Sequence, residues 1–319
     1  MEWQQVKITI DASNIDTVMG ALIMAGITGF EIEDPREFDE FLENSCYYDY
    51  IEDDVMQLKD APASVKIYLP ENAQGMETLN AVKAQLARLK EEYSIESELS
   101  FVGMREEDWA NNWKKYFKPI KIGRNIMIKP SWEELPDAEG RIVLEIDPSS
   151  SFGTGTHATT QLCLETLEDV VKEGDSVLDM GCGSGILSVG AMLLGAGDVT
   201  GVDIEEDSIR VSTENAQMND INLDNFKLYL GNILQDDALA DEIGKRKYDI
   251  VVANIVADVV IAMSGLFKRY LAHDGTLITS GIITERVEDV VFALDRAGFR
   301  IMDIRRKDDW AAITARHKA

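Results

Sequence analysis

The chain has 319 residues, 45% hydrophobic and 28% charged, with a formal net charge of -27, which excludes a strongly basic nucleic-acid-binding protein. No apolar run approaches the ~20 residues of a membrane span, and the start, MEWQQVKITI, has neither the basic region nor the hydrophobic core of a secretory signal. The three cysteines lack the spacing of a disulfide framework or a zinc site. We therefore expect a cytoplasmic protein of two domains, without a metal, that binds neither nucleic acid directly nor a membrane.

The first 103 residues alternate strands and helices. Their order, strand-helix-strand followed by strand-helix-strand, predicts a small ferredoxin-like α+β domain over residues 1–103. The predicted strands are Trp3–Ile10, Gly29–Glu33, Val65–Leu69 and Ile95–Val102, and the predicted helices are Ile15–Ala25 and Met76–Tyr93.

An acidic block lies within this domain, at residues 31–60. It holds twelve acids against two bases, Arg36 and Lys59, and five aromatic residues are interleaved with them. The aromatics argue against a disordered acidic tail. The block fits either a surface for a lysine-rich partner or a solvated face that aids solubility, and charge alone does not separate the two.

Residues 104–120 are predicted to link two domains. The stretch REEDWANNWKKYF reads as a helix with Trp109, Trp113 and Phe117 on one face, at i, i+4 and i+8. We interpret this face as a docking surface for a neighbouring domain in preference to an aromatic ligand site.

Residues 121–319 are predicted to form an open α/β sheet. Strands and helices alternate, and the short connection between the last two strands implies an antiparallel hairpin at the sheet edge. The predicted strands pass through Asn125–Lys129, Ile142–Ile146, Val177 and Leu178, Val199–Asp203, Phe226–Leu230, Asp249–Ala253, Gly275–Ser280, Phe299–Ile304 and Ala311–Ala315, and the predicted helices are Gln161–Val171, Ile186–Ala196, Glu205–Met218, Val256–Leu271 and Glu285–Ala297.

A glycine loop, SVLDMGCGSG at Ser176–Gly185, stands at the centre of this half. A strand runs into three glycines and then into a buried helix, which allows the backbone to approach a ligand closely. The loop alone is a weak signal of ligand binding. The dinucleotide-binding pattern requires its third glycine at a different position, and GCGSGI has no glycine there. A tight strand-to-helix turn without a ligand remains the alternative.

Two polar residues follow later strands at positions that suit ligand binding. Asp203 comes 22 residues after Gly181, close to the roughly 20-residue spacing at which a carboxylate accepts hydrogen bonds from ribose hydroxyls. Its alternative role is to cap the helix that begins at Glu205. Asn254 directly follows a buried strand, at the carboxyl edge where open α/β sheets bind ligands.

A second loop, SFGTGTHATT at residues 151–160, opens the first helix of this half. Its hydroxyls and free N–H groups suit a carboxylate or another anion, although Thr159 and Thr160 could be plain helix caps. His157 is a possible base, but a lone histidine in a structured loop more often serves as a hydrogen-bonding spacer. We interpret Cys182 as a small loop residue rather than a nucleophile.

The motifs GTGTH-x-TT, GCGSGIL, GVDI and VVANI together resemble the ribosomal protein L11 methyltransferase family, class I methyltransferases that use S-adenosylmethionine. The resemblance runs along the whole chain. It implies a substrate-recognition domain at 1–103, a helical linker at 104–120 and a Rossmann-like catalytic domain at 121–319, with a seven-stranded sheet that ends in an antiparallel hairpin. It also implies methylation, up to trimethylation, of lysine or N-terminal amines on a basic protein of the large ribosomal subunit.

The resemblance further implies that Thr160, Gly181, Asp203 and Asn254 contact the cofactor. Thr160 would serve the methionine end, Gly181 would let the backbone pass close to the ligand, and Asp203 would bind the ribose. Asn254 would lie beside the methyl group, where its carbonyl could orient the target amine. No residue stands out as a base, and the target lysines and the oligomeric state stay open.

Three other classes of protein fit less well. A dehydrogenase that binds NAD would need the missing glycine and a hydride-accepting site. Nucleic-acid amine methyltransferases usually carry Asn-Pro-Pro-aromatic where this chain has Asn254-Ile255-Val256-Ala257. A non-catalytic ribosome-binding module would not need intact cofactor motifs.

Overall fold

The computed structural model describes residues 3–27, 29–36, 62–70, 73–101, 118–135, 137–147 and 155–318. The chain divides into two compact units, Met1–Phe117 and Lys118–Ala319. The predicted linking helix and most of the acidic block lie outside the described residues. Within the described ranges, no helix is both long enough and apolar enough to cross a membrane.

The first unit contains a four-stranded antiparallel sheet in the order β2-β3-β1-β4. Alternate residues of β1 are buried, among them Val6 and Ile8, and they pack on Leu22 and Leu79 of the two helices. This order and pairing confirm the predicted ferredoxin-like fold. Its elements are β1 (Trp3–Ile10), α1 (Ile15–Met24), β2 (Phe30–Glu33), β3 (Ser64–Pro70), α2 (Ala73–Tyr93) and β4 (Ser97–Phe101).

The acids that begin the acidic block are paired within this sheet. Lys66 Nζ lies 2.9 Å from Glu31 Oε1 and 2.5 Å from Glu33 Oε1, and Lys7 Nζ lies 3.0 Å from Glu33 Oε2. The hydrogen bonds from Lys66, Ser64 and Lys7 lower the pKa of Glu33 to about 2. These carboxylates therefore already have partners in their own sheet.

The second unit begins with a small three-stranded sheet, β5 (Ile120–Ile122), β6 (Ile126–Pro130) and β7 (Ile142–Ile146). Strand β5 was not predicted from the sequence, because three residues are too few to show the alternation of apolar and polar residues that marks a strand. Two side chains of the helix Glu206–Met218 and its C-cap bond to this sheet. Asn219 Oδ1 accepts a hydrogen bond from the N–H of Glu145, and Asn215 Oδ1 accepts one from the N–H of Asp147.

The main sheet of the second unit has seven strands in the order β10-β9-β8-β11-β12-β14-β13. Strands β8 to β12 are parallel, and β14 is antiparallel to both of its neighbours. This is the predicted Rossmann-like sheet with a closing hairpin, and it is confirmed. The strands are β8 (Ser176–Met180), β9 (Asp198–Asp203), β10 (Phe226–Leu230), β11 (Tyr248–Asn254), β12 (Leu271–Ile283), β13 (Phe299–Lys307) and β14 (Trp310–His317).

Helices cover both faces of this sheet. Because the central strands are buried on both sides, they read as continuous apolar runs rather than alternating patterns. One face carries α3 (Ala158–Val170), α4 (Ile186–Leu193) and α5 (Glu206–Met218), and the other carries α6 (Asp237–Ile243), α7 (Ala257–Met263), α8 (Phe267–Tyr270) and α9 (Val287–Arg296).

One helix prediction in this unit is wrong, and one helix was missed. The single helix expected over Val256–Leu271 is two short helices, because the chain turns at residues 264–266 and the Leu266 N–H bonds to Met263. Helix α6 was not predicted, although Asp236 caps it by accepting the N–H of Leu239. Its acidic residues obscured the short apolar stripe that enters the core.

Candidate functional site

The glycine loop joins β8 to α4 and holds glycines in conformations that other residues rarely adopt. Gly181 has φ +81° and Gly185 has φ +77°. A Cβ atom on Gly181 would lie 2.5 Å from Cγ2 of Ile255, the residue that follows Asn254. The bare backbone of the loop therefore lies directly beside the end of β11.

Side chains from neighbouring elements fix this loop in place. Ser212 Oγ donates to the carbonyl of Gly183 at 2.8 Å, and Asn215 Nδ2 donates to the carbonyl of Ser184 at 2.8 Å. Both side chains are fully buried on α5. Neither residue was predicted from the sequence, although two polar residues at i and i+3 on a buried helical stripe were an available signal.

Replacement of Gly185 by alanine should destabilise the fold, because its Cβ would lie 2.9 Å from Cβ and 3.0 Å from Cα of Ser212. Gly140 is a matched control, since it has φ +75° and open space around the added Cβ. We expect a loss of about 1–2 kcal/mol for Gly140→Ala, from the left-handed backbone alone, and about 2–5 kcal/mol for Gly185→Ala, from overpacking as well. Denaturant unfolding measures both, and equal losses would contradict the contact.

Asp203 lies at the carboxyl end of β9 and accepts two backbone hydrogen bonds. Its Oδ2 accepts the N–H of Gly183 at 2.8 Å, and its Oδ1 accepts that of Glu205 at 3.0 Å. Glu205 occupies the cap position of α5, so the alternative role of Asp203 as the helix cap is not the observed one. A carboxylate has about four acceptor positions, so the half-buried group retains capacity for further donors.

Asn254 and Thr160 each bury an oxygen atom that has no hydrogen-bond partner, Oδ1 in Asn254 and Oγ1 in Thr160. Asn254 ends β11 opposite Ser280, and Thr160 lies fully buried in the first turn of α3. Buried polar atoms in folded proteins nearly always have a partner. The unpartnered oxygens therefore mark positions that suit the polar groups of a ligand.

His157 caps α3, so neither threonine after it is the cap. Its Nδ1 accepts the N–H of Thr159 at 3.4 Å and lies 2.7 Å from the Thr159 hydroxyl. Its ring meets that of Trp310 edge to face, with centroids 4.8 Å apart. Burial lowers the pKa of His157 against the opposing charge of Asp308. This geometry is that of a hydrogen-bonding spacer.

The two buried cysteines of the second unit are unsuited to nucleophilic chemistry. Burial raises the pKa of the Cys163 thiol to about 12 and that of Cys182 well above its usual value. A thiol attacks as its thiolate, so Cys182 serves as a small residue of the loop, as the sequence indicated.

Asp179 is a feature of the site that sequence analysis missed. This carboxyl, on the last residue but one of β8, is fully buried. Ser188 Oγ donates to its Oδ2 at 2.7 Å, and its Oδ1 has no partner. Burial raises the pKa of Asp179 to about 7. The available signal was an acid within the apolar strand SVLDM.

The structure brings the four site residues from the sequence together. Gly181 meets the residue after Asn254, and Asp203 bonds to the same glycine loop. The hydroxyl of Ser280, opposite Asn254, lies 3.4 Å from the carbonyl of the residue before Thr160. All four residues thus surround one region at the carboxyl edge of the parallel strands, where such sheets bind ligands.

A bare glycine loop, an acid after the second strand and unpartnered oxygens fit a ligand that combines a nucleoside with an amino acid. With the antiparallel β14 in the sheet, this arrangement defines a class I methyltransferase, whose cofactor is S-adenosylmethionine. The chain belongs to the ribosomal protein L11 methyltransferase (PrmA) family, whose model matches residues 2–318.

Relatives of known name span the whole chain. The ribosomal protein L11 methyltransferase of Acetivibrio thermocellus is 38% identical over 317 residues, which cover 99% of this chain and 98% of that protein. The protein of the same name from Thermoanaerobacter pseudethanolicus is 36% identical over 321 residues, all of both chains. A crystal structure of ribosomal protein L11 methylase from Lactobacillus delbrueckii subsp. bulgaricus is 30% identical with a TM-score of 0.58, and covers 64% of this chain and all of its own.

Proposed function

We propose that this protein transfers methyl groups from S-adenosylmethionine to amino groups of ribosomal protein L11, on lysine side chains and the N-terminal amine, in the cytoplasm. The names of its full-length relatives support the substrate. The observation that carries the chemistry is the unpartnered, buried Oδ1 of Asn254 at the edge of the sheet. This oxygen can accept a hydrogen bond from an N–H group of an amine that enters the site.

Four residues are proposed to hold the cofactor. Thr160 provides its free hydroxyl for the methionine end, and the backbone at Gly181 passes close to the ligand. Asp203, still with acceptor capacity, takes the ribose hydroxyls. Asn254 serves the reacting end. Their positions around one region of the sheet edge support this assignment.

Methyl transfer requires no covalent catalysis by the protein. S-adenosylmethionine supplies, when bound, a methyl group on a sulfonium that is already activated. Asn254 orients the target amine by accepting a hydrogen bond from one of its N–H groups, so that the nitrogen lone pair points in line with the methyl group. A lysine must be neutral to attack, and a site at a half-buried sheet edge lowers its pKa from about 10.4 by desolvation. The released proton passes to bulk water.

Residues 1–103 are proposed to recognise the protein substrate, with 104–120 as the linker and 121–319 as the catalytic domain. The acids of β2 are paired with Lys66 and Lys7, so they offer little free charge to a basic partner. Recognition of a lysine-rich protein is therefore assigned to the other acids of residues 31–60, which outnumber the bases.

The direct test is methyl transfer from labelled S-adenosylmethionine to purified ribosomal protein L11. We expect label in the protein, and mass spectrometry should show it on amines as additions of one to three methyl groups. A non-catalytic ribosome-binding module would bind L11 and leave it unlabelled, which would overturn the proposal.

Substitution of Asp203 by alanine should weaken S-adenosylhomocysteine binding by about 1.5–3 kcal/mol, the usual worth of hydrogen bonds to a charged group. Because Asp203 also holds Gly183, part of the loss could come from the loop. A 2′-deoxy analogue of the ligand separates the two contributions. If Asp203 binds the ribose, the Asp203→Ala substitution will cost less binding free energy for the analogue than for the parent ligand, as measured by calorimetry. Equal losses of binding free energy for the two ligands would refute the ribose contact.

A further inference from the structure

Strand β12 contains a β-bulge where it passes the end of β11. Its pairing with β14 shifts register between Thr279 and Ile282, so that Ser280 and Gly281 together face a single residue of β14. Bulges redirect neighbouring groups and occur preferentially beside active sites. Because Ser280 is paired in register with Asn254, this bulge lies beside the residue proposed to orient the target amine.

Gly281 of the bulge packs against the backbone of Ile255, the residue that follows Asn254. Gly281 has φ +80°, and a Cβ atom on it would lie 2.4 Å from the carbonyl oxygen of Ile255, 2.7 Å from its carbonyl carbon and 3.0 Å from its nitrogen. Ordinary contacts of a Cβ atom begin near 3.4 Å, and backbone atoms cannot turn away as the end of a side chain can. Only glycine therefore allows the backbone after Asn254 to lie this close to β12.

Ile255 is also held from the glycine loop. A Cβ atom on Gly181 would lie 2.5 Å from Cγ2 of Ile255, and the N–H of Ile255 donates to the carbonyl of Ser280 at 3.1 Å. Two close contacts with glycines and one hydrogen bond therefore fix Ile255. These contacts determine the course of the backbone from which the side chain of Asn254 projects.

The bulge itself is tied to two further elements. Ser280 is fully buried, and its hydroxyl lies 3.1 Å from the carbonyl of Ala311 on β14 and 3.4 Å from the carbonyl of Thr159 on α3. Groups that support a site in this way hold it in a defined geometry. The bulge is therefore a fixed support for the backbone at Ile255.

We propose that Gly281 is a positioning residue for methyl transfer, which acts through the backbone of Ile255 to place the free Oδ1 of Asn254. Among the described residues this oxygen has no hydrogen-bond partner, so its direction depends on the backbone that carries it. The target amine must lie in line with the methyl group, and a displacement of about 1 Å costs about 10²-fold in rate. The inference rests on the proposed methylation of amines on ribosomal protein L11.

Replacement of Gly281 by alanine in the full chain tests the proposal. The added Cβ displaces the backbone after Asn254, so the turnover number for L11 methylation should fall by about 10²-fold. The dissociation constant for S-adenosylhomocysteine should rise by no more than about tenfold. Gly174→Ala is the matched control, since Gly174 has φ +85° and open space around the added Cβ. It should keep the turnover number of the wild type, and equal turnover in the two variants would overturn the proposal.

A double-mutant cycle shows whether Gly281 acts through Asn254. Asn254→Ala removes the oxygen that the bulge is proposed to place. Addition of Gly281→Ala to that variant should therefore lower the turnover number by less than about threefold further, because coupled residues are not additive. A glycine that serves only the stability of the sheet would give losses that multiply, and that result would refute the positioning role.

Ile255 provides a second test if Gly281→Ala does not fold. Ile255→Ala removes the methyl group that packs beside Gly181, and the turnover number should fall by at least about tenfold. Ile255→Val keeps a methyl group at that position and should recover most of the rate. Equal turnover of the alanine variant and the wild type would refute the role of this backbone and leave the proposed function standing. Absence of L11 methylation by the wild-type chain would overturn the proposed function, and this inference with it.

Discussion

Alanine in place of Asn254 should lower the turnover number for L11 methylation by about 10²-fold, the scale of one positioned group that acts in the transition state. The dissociation constant for S-adenosylhomocysteine should rise much less, by no more than about tenfold, the worth of one ordinary hydrogen bond, because alignment of the amine matters most in the transition state. The reason is the free, buried Oδ1 of Asn254, which has no structural hydrogen bond to lose. Steady-state kinetics measures the turnover number, and calorimetry measures the dissociation constant.

Asn254→Asp is the matched variant, since it keeps the shape and the acceptor oxygen. A negative charge there favours the protonated amine and raises its pKa. The rate at pH 7 should fall, and the pH–rate profile should move to higher pH with partial recovery. Equal losses in cofactor affinity and turnover for Asn254→Ala would make the residue only a cofactor ligand.

Much of the fold followed from local pattern and element order. The central strands β8 and β11 were predictable because burial on both faces demands continuous apolar runs. The hairpin of β13 and β14 was predictable because a short connection between two strands implies an antiparallel pair. Helix α6 was missed because its acids diluted the periodic signal, and the break after α7 depends on a local turn that periodicity does not encode.

The candidate site was predictable where backbone conformation or chain order demanded a residue type. Gly181 needs a positive φ, and Asp203 follows from its spacing along the chain. Ser212 and Asn215 could not be found in this way, because their partners are backbone carbonyls about 30 residues away in sequence. Asp179 was visible in the sequence as an acid within an apolar strand, but its missing partner is a property of the packed interior.

The chain from Lys118 to Ala319 alone should bind the cofactor like the full protein and lose methylation of ribosomal protein L11. This unit contains the seven-stranded sheet, its own hydrophobic core and all four proposed cofactor residues, so it should fold independently. Without the recognition domain a flexible lysine is no longer held in line. We expect the specificity constant for the whole ribosomal protein to fall by at least about 10²-fold, a small part of what orientation can provide.

A short peptide that contains a target lysine provides the control, because it is too small to use a separate recognition domain. Full and truncated chains should methylate it at similar, slow rates, and calorimetry should give S-adenosylhomocysteine the same affinity for both. Binding of L11 by the full chain should weaken with added salt, since its acidic block acts through screened charge. A truncated chain that methylates L11 at the full rate would refute the recognition role and leave residues 31–60 as an aid to solubility.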